Sequence, residues 1–314
     1  MSKYRDSLPQ LSGQLFLTDG GLETTLVFHD GFDLPHFAAF DLLKTTMGTQ
    51  RIRDYYRQYA GIAVANKVGF VMDTVTWRAS ADWGALMGYS ATALNAVHHQ
   101  SVELLVALRK ELETVDSPMV ISGCLGPRGD GYNPSNFMTA EESLKYHQVQ
   151  INSFSQTEAD MVTAMTIPYV EEAIGMALAA RAENIPVVIA FTVETDGRLP
   201  SGQNLKDAIE QVDAETDSTP IYYMINCAHP EHFENTLVGD EKWLNRIHGI
   251  RANASKKSHA ELDESVELDD GNPVELGHAY QTFSQNMSQL NVFGGCCGTD
   301  HRHIEAICQS VMSV

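Results

Sequence analysis

The residues with the clearest chemical meaning are cysteines. Cys296 and Cys297 are adjacent in "NVFGGCCGTDHRHI" (291–304) and framed by glycines, while Cys227 ends the apolar run "IYYMINCA" (221–228). Three thiolates meeting at one place make a soft, sulfur-rich site, and the metal that suits it best is Zn2+, at about 2.3 Å per sulfur. Three protein ligands leave the fourth tetrahedral position open, which marks a catalytic site rather than a structural one. With three thiolates the ion carries a net negative charge and is a poor Lewis acid for carbonyls or water. It can still take a substrate thiol as fourth ligand and strip its proton at neutral pH. The electron-rich thiolate so formed attacks carbon, and the least demanding electrophile is a methyl group on a sulfonium or quaternary ammonium. Thiol methylation is therefore the reading these residues favour.

Other readings of the pair are a buried turn, a vicinal disulfide or a zinc hydrolase, the last opposed by the blunting effect of thiolates on bound water. His301 and His303 follow the pair, but "GTDHRH" reads as a helix start with Thr299 or Asp300 as N-cap, and side chains at i and i+2 do not share a helix face. Cys124, in "GCLGP", reads as a buried small residue, and Cys308 as helix packing.

What must position these groups is a series of short apolar runs: 15–21, 68–77, 118–126, 159–167, 186–194, 221–228, 246–254 and 291–298. Amphipathic helical segments lie between them, among them "TQRIRDYYRQYAGIAVANK" and "NAVHHQSVELLVALRKELE". Strand and helix in alternation predict parallel strands with crossover helices, and near-continuous apolar strands predict a sheet buried on both faces. The reading is α/β, a (β/α)8 TIM barrel, with a doubly wound sheet as the alternative. In a barrel the active site lies at the C-terminal strand ends, where Asp19, Asp73, Cys124, Glu194, Cys227, Asn253 and the Cys296–Cys297 pair fall.

Composition narrows the function classes. The chain has 314 residues, with 21 basic against 41 acidic side chains and a formal charge of −20, which repels phosphate backbones and anionic lipid alike. Neither nucleic acid nor a membrane surface is an expected partner. No leader-like or spanning apolar run is present, and five cysteines argue against a disulfide framework, so the expected location is cytoplasmic. No linker composition divides the chain, which reads as one domain over 1–314, with the acidic stretch 260–273 as a solvated loop.

"MINCAHP" followed by "GGCCGTDHRHI" resembles the metal-binding signature of the homocysteine S-methyltransferase family, and "TDGGLETTL", "GCLGPRGDGY" and "FTVETDGRLPSG" resemble further segments of it. The resemblance implies a (β/α)8 barrel, zinc held by Cys227, Cys296 and Cys297, and methyl transfer to homocysteine sulfur to give methionine. It also implies that Asp19 and the backbone of Gly20 and Gly21 hold the amino-acid part of the thiol. Where the family carries an ammonium-binding glutamate, "TAMTIPYVEEA" has Met165; in strand seven "RANAS" stands where a Tyr-Pro-Asn-rich segment is usual. Either another carboxylate, Glu194 or Asp73, supplies the missing charge, or the acceptor is a different thiol. A zinc- and thiol-binding module without turnover is the remaining alternative. One barrel uses up the chain, so the donor is expected to be small: S-methylmethionine, S-adenosylmethionine or betaine. The oligomeric state is not legible.

Overall fold

In the computed structural model, which describes residues 1–265 and 267–313, eight parallel strands close into a barrel in sequential order. They are β1 (Phe16–Leu17), β2 (Gly69–Asp73), β3 (Met119–Leu125), β4 (Met161–Ile167), β5 (Val187–Phe191), β6 (Tyr222–Asn226), β7 (Ile247–Ala252) and β8 (Val292–Gly295). Each lies within one of the apolar runs, and β8 pairs with both β7 and β1, Phe16 against Val292. The fold is a (β/α)8 TIM barrel.

Nearly every strand residue is buried because the two faces meet different cores. Alternate residues point inward: Val120 and Cys124 from β3, Met161 and Met165 from β4, Val188 and Ala190 from β5 pack in the barrel interior. Their neighbours face the surrounding helices, which include α1 (Thr46–Asn66), α2 (Ala91–Leu112), α3 (Ala140–Ser155), α4 (Val170–Ala182), α5 (Leu205–Thr216), α6 (Pro230–Phe233), α7 (Pro273–Asn286) and α8 (His301–Met312). This two-sided burial is what the unbroken apolar runs encode.

Helix starts follow from local chemistry. Thr139 and Glu142 form a reciprocal capping box at α3, and Asn204 caps α5. At α8, Asp300 is the N-cap, and His303 Nδ1 accepts from the Asp300 amide while Nε2 donates to Asp270 O at 2.8 Å. The acidic stretch 260–273 is not wholly a loop: Ser258 caps a short helix, His259–Asp263, that runs into it, and residue 266 lies outside the described residues.

The N-terminal segment closes the end of the barrel opposite the cysteines. Lys3 and Tyr4 amides donate to Asp160 Oδ1 at 2.9 and 2.7 Å, and the Arg5 guanidinium reaches the carbonyls of Ser155, Thr157 and Ala159.

Candidate active site

The cysteine geometry starts with backbone distortion at two strand ends. Beyond Ala164, β4 slips register against β5, and Thr166 takes a left-handed conformation, φ 62°. Asn226, the last residue of β6, spans this break, accepting from the Thr166 amide and donating to its hydroxyl, both at 2.8 Å. The next residue, Cys227, is itself left-handed at φ 60°. Such conformations cost about 1–3 kcal/mol where a side chain is present, and they persist only where neighbours hold them.

The other two sulfurs come from the turn after β8. Gly298, at φ 78°, reverses the chain there, and the loop after β1 docks onto it: Gly21 N donates to Thr299 O at 3.0 Å and Gly298 N to Thr24 Oγ1 at 3.3 Å. A Cβ at Gly21 would lie 2.6 Å from Cys296 O, so only glycine permits this approach. The first and last strands thereby present one continuous wall.

All five cysteines are free. Cys227, Cys296 and Cys297 bring their sulfurs within 4.8 Å of one another, Cys227 Sγ lying 3.0 Å from Cys296 Sγ and 3.4 Å from Cys297 Sγ. Tetrahedral zinc bonds of about 2.3 Å place sulfurs ~3.8 Å apart, so the cluster fits a metal with only a small expansion. Contacts with Cys227 and Cys297 hold the Cys296 thiol well below its ordinary pKa, with help from the Arg251 charge, whereas the Cys227 and Cys297 thiols are raised. Tyr132 donates to Cys227 Sγ at 2.9 Å and packs against the His259 ring, 4.2 Å between centroids.

The cluster opens into a cavity of about 320 Å³ whose wall includes Asp19, Glu23, Asp73, Arg78, Met165 and Arg251. Arg251 lies between two carboxylates, NH2 2.5 Å from Asp19 Oδ1 and NH1 2.7 Å from Asp73 Oδ2, with Nε donating to Gly295 O at 3.1 Å. Tyr55 donates to the other Asp19 oxygen at 3.0 Å. Burial pushes the Asp73 carboxyl up to about 6 against the pull of Arg251, and its Oδ1 has no hydrogen-bond partner. Burial likewise raises Glu23 to about 7.

With this geometry in view, the sequence matches the homocysteine S-methyltransferase family model over residues 16–311. The chain belongs to the homocysteine S-methyltransferase family. It is a methyltransferase. Among solved structures it is similar to the homocysteine methyltransferase MmuM from Escherichia coli: the oxidized form at 19% identity and TM-score 0.73, covering 96% of this chain and 97% of that one, and the metallated form at 18% and 0.73, covering 95% and 97%. The apo form gives a TM-score of 0.65 at 19% identity, with 95% and 96% coverage. At these identities the likeness is one of fold. No curated protein matches the sequence.

For this methyltransferase the structure brings most of the sequence-derived residues to one cavity: Cys227, Cys296, Cys297, Asp19, Gly20 and Gly21 all line it, as do Asp73 and Cys124. Glu194 is not among the residues lining this cavity; the chain folds back on itself just after β5, with Glu194 N donating to Arg198 O and Gly197 N to Glu194 O. The histidines stay in α8 and form no part of the sulfur cluster. Sequence reasoning missed Arg251, Tyr132, Glu23 and Arg78. The signal for Arg251 was a charge inside an apolar strand, "RIHGIRANA", which demands a buried partner.

Proposed function

We propose that the protein moves a methyl group from a small sulfonium or ammonium donor to the sulfur of homocysteine, giving methionine, with zinc held by Cys227, Cys296 and Cys297. The observation that carries this reading is the convergence of three sulfurs on the wall of a cavity with room beside them. The metallated form of the E. coli homocysteine methyltransferase supports a metal at such a site. Zinc bound there supplies the acidity that turns a coordinating thiol into a thiolate at neutral pH.

The chain's own residues do the positioning. Tyr132 donates to Cys227 Sγ and so fixes that sulfur's orientation, while the Asn226–Thr166 clasp holds the backbone that carries it. Asp19, Gly20 and Gly21 form the wall beside the Cys296 turn and border the amino-acid part of the thiol. Arg251 holds Asp19 and Asp73 in place while leaving the Asp73 Oδ1 acceptor unspent. The cavity is at the small end of ligand pockets, which favours S-methylmethionine or betaine over the bulkier S-adenosylmethionine. Free thiols suit a reducing compartment, and we place the enzyme in the cytoplasm. Among the described residues no helix is long and apolar enough to cross a membrane.

The test is metal content together with turnover. The purified protein is expected to hold about one zinc per chain and to convert homocysteine to methionine with one of these donors. A Cys227→Ser, Cys296→Ser double variant is expected to lose both; retention of zinc by that variant would refute the ligand assignment.

A further inference from the structure

The charged groups of the cavity sort into those already partnered and those left over. Asp19, Asp73 and Arg251 form one mutually bonded set. Asp130 spends an oxygen on the amides of Tyr132 and Asn133 in its own loop, at 2.8 and 3.0 Å. Glu23 and Arg78 remain. Arg78 acts on Glu23 only from farther off in the cavity, and among the described residues no cation lies within ion-pair distance of the Glu23 carboxylate. It sits on the loop whose neighbours Gly21 and Thr24 dock onto the Cys296–Gly298 turn, so it stands next to the sulfur cluster.

Arg78 is the complementary case. Its guanidinium is stacked between two indoles, 4.0 Å from the Trp77 centroid and 3.9 Å from that of Trp83, and NH1 donates to Gly129 O at 3.2 Å. Its buried Nε has no acceptor. Among the described residues no carboxylate lies within ion-pair distance of it, although Asp130 and Glu23 share its cavity and act on it from farther off. A guanidinium held rigid by stacking loses little further entropy when it takes up a carboxylate, and its fork geometry matches one. A half-buried charge of either sign is less favourable until a partner arrives. Met165, inward on β4 with its carbonyl accepting from Trp77 Nε1 at 3.3 Å, adds an apolar surface and no charge.

We propose that Glu23 and Arg78 are a clamp for the zwitterionic head of the thiol acceptor, Glu23 taking its ammonium and Arg78 its carboxylate. This rests on the reading of the cysteine cluster as the thiol site. It means that the charge absent at Met165 has moved to the β1 loop, and that the acceptor class is an α-amino acid thiol. Asp19 already accepts from Arg251 on Oδ1 and from Tyr55 on Oδ2, so Glu23 is the carboxylate of this wall with more capacity left for an ammonium.

The experiment is calorimetric titration of the purified protein, without methyl donor, with homocysteine, with 4-mercaptobutanoate, which lacks the ammonium, and with 3-aminopropanethiol, which lacks the carboxylate. Glu23→Gln is expected to weaken homocysteine and 3-aminopropanethiol by about 10–100-fold, the range of a charge-assisted hydrogen bond, and to leave 4-mercaptobutanoate within about twofold. Arg78→Gln is expected to weaken homocysteine and 4-mercaptobutanoate and spare 3-aminopropanethiol, while Arg78→Lys, which keeps the charge, recovers part of the loss. Equal weakening of all three thiols in both variants, or no weakening in either, overturns the clamp. Because the titration needs no turnover, the expected pattern without any methylated product would uphold the clamp and reject the methyl-transfer reading.

Discussion

Two buried arginine–carboxylate networks lie at opposite ends of the barrel, and they differ in what they leave unspent. At the N-terminal end, Asp160 uses both oxygens twice: Lys3 N and Tyr4 N on Oδ1, Ile121 N and Arg109 NH1 on Oδ2, all between 2.6 and 2.9 Å. At the cysteine end, Arg251 joins Asp19 and Asp73, yet Asp73 Oδ1 has no hydrogen-bond partner, and two further charges, Glu23 and Arg78, stand in the same cavity without an ion pair among the described residues. The saturated network can only hold the fold. The unsaturated one has capacity for a ligand. Burial and residue type are alike in the two, so it is the remaining hydrogen-bond capacity that separates a structural lock from a site.

The contrast can be broken most directly by removing each arginine. Arg109→Met leaves a fully buried carboxylate with three amides and no ion-paired cation, Arg5 acting only from the neighbouring carbonyls, and is expected to lower unfolding free energy by about 3–5 kcal/mol in urea titrations, with methyl transfer per folded molecule unchanged. Arg251→Met is expected to cost less stability, about 1–3 kcal/mol, because Asp73 already sits near its protonation point and the cavity admits water, but to abolish most activity. Equal stability losses, or an active Arg251→Met protein, would erase the distinction. A finer cut is Asp73→Asn, which exchanges one ionic hydrogen bond and an unpartnered oxygen for an amide. It is expected to change stability by about 1 kcal/mol or less.

The smallest effect is a pH dependence. Asp73 is pushed up to about 6 and Glu23 to about 7, both by burial, so the folded chain binds protons that the unfolded chain has released. Stability should therefore fall as pH rises from the ordinary carboxyl range through about 7. Glu23→Gln removes the upper part of that decline and is expected to melt a few degrees above the parent at pH 8 but not at pH 4.5. Parallel melting curves across this range would show that Glu23 is not desolvated.

These networks also show what a sequence can and cannot reveal. The eight strands were legible because burial on both faces leaves unbroken apolar runs, and the three cysteines because their type and their place at strand ends restrict the chemistry. Arg251 was visible only as an oddity in strand seven, since its partners Asp19 and Asp73 come from strands one and two. Glu23 reads as an ordinary acidic residue in the first turn of a helix, and nothing local says that the turn faces inward. Arg78 depends on Trp83 folding back over it. Glu194 differs: it falls three residues past β5, in a tight turn outside any periodic pattern, and does not line the cavity.

The docking of the β1 loop onto the cysteine turn bears on how the protein comes into being. Cys296 and Cys297 reach Cys227 only when β8 has slotted between β7 and β1, the step that closes the ring. A chain still waiting for that step keeps Cys227 apart from the Cys296–Cys297 pair, so the three sulfurs are not gathered at one place. If the three cysteines hold the proposed zinc, its capture would report barrel completion, and chelators would be expected to trap late folding intermediates rather than early ones.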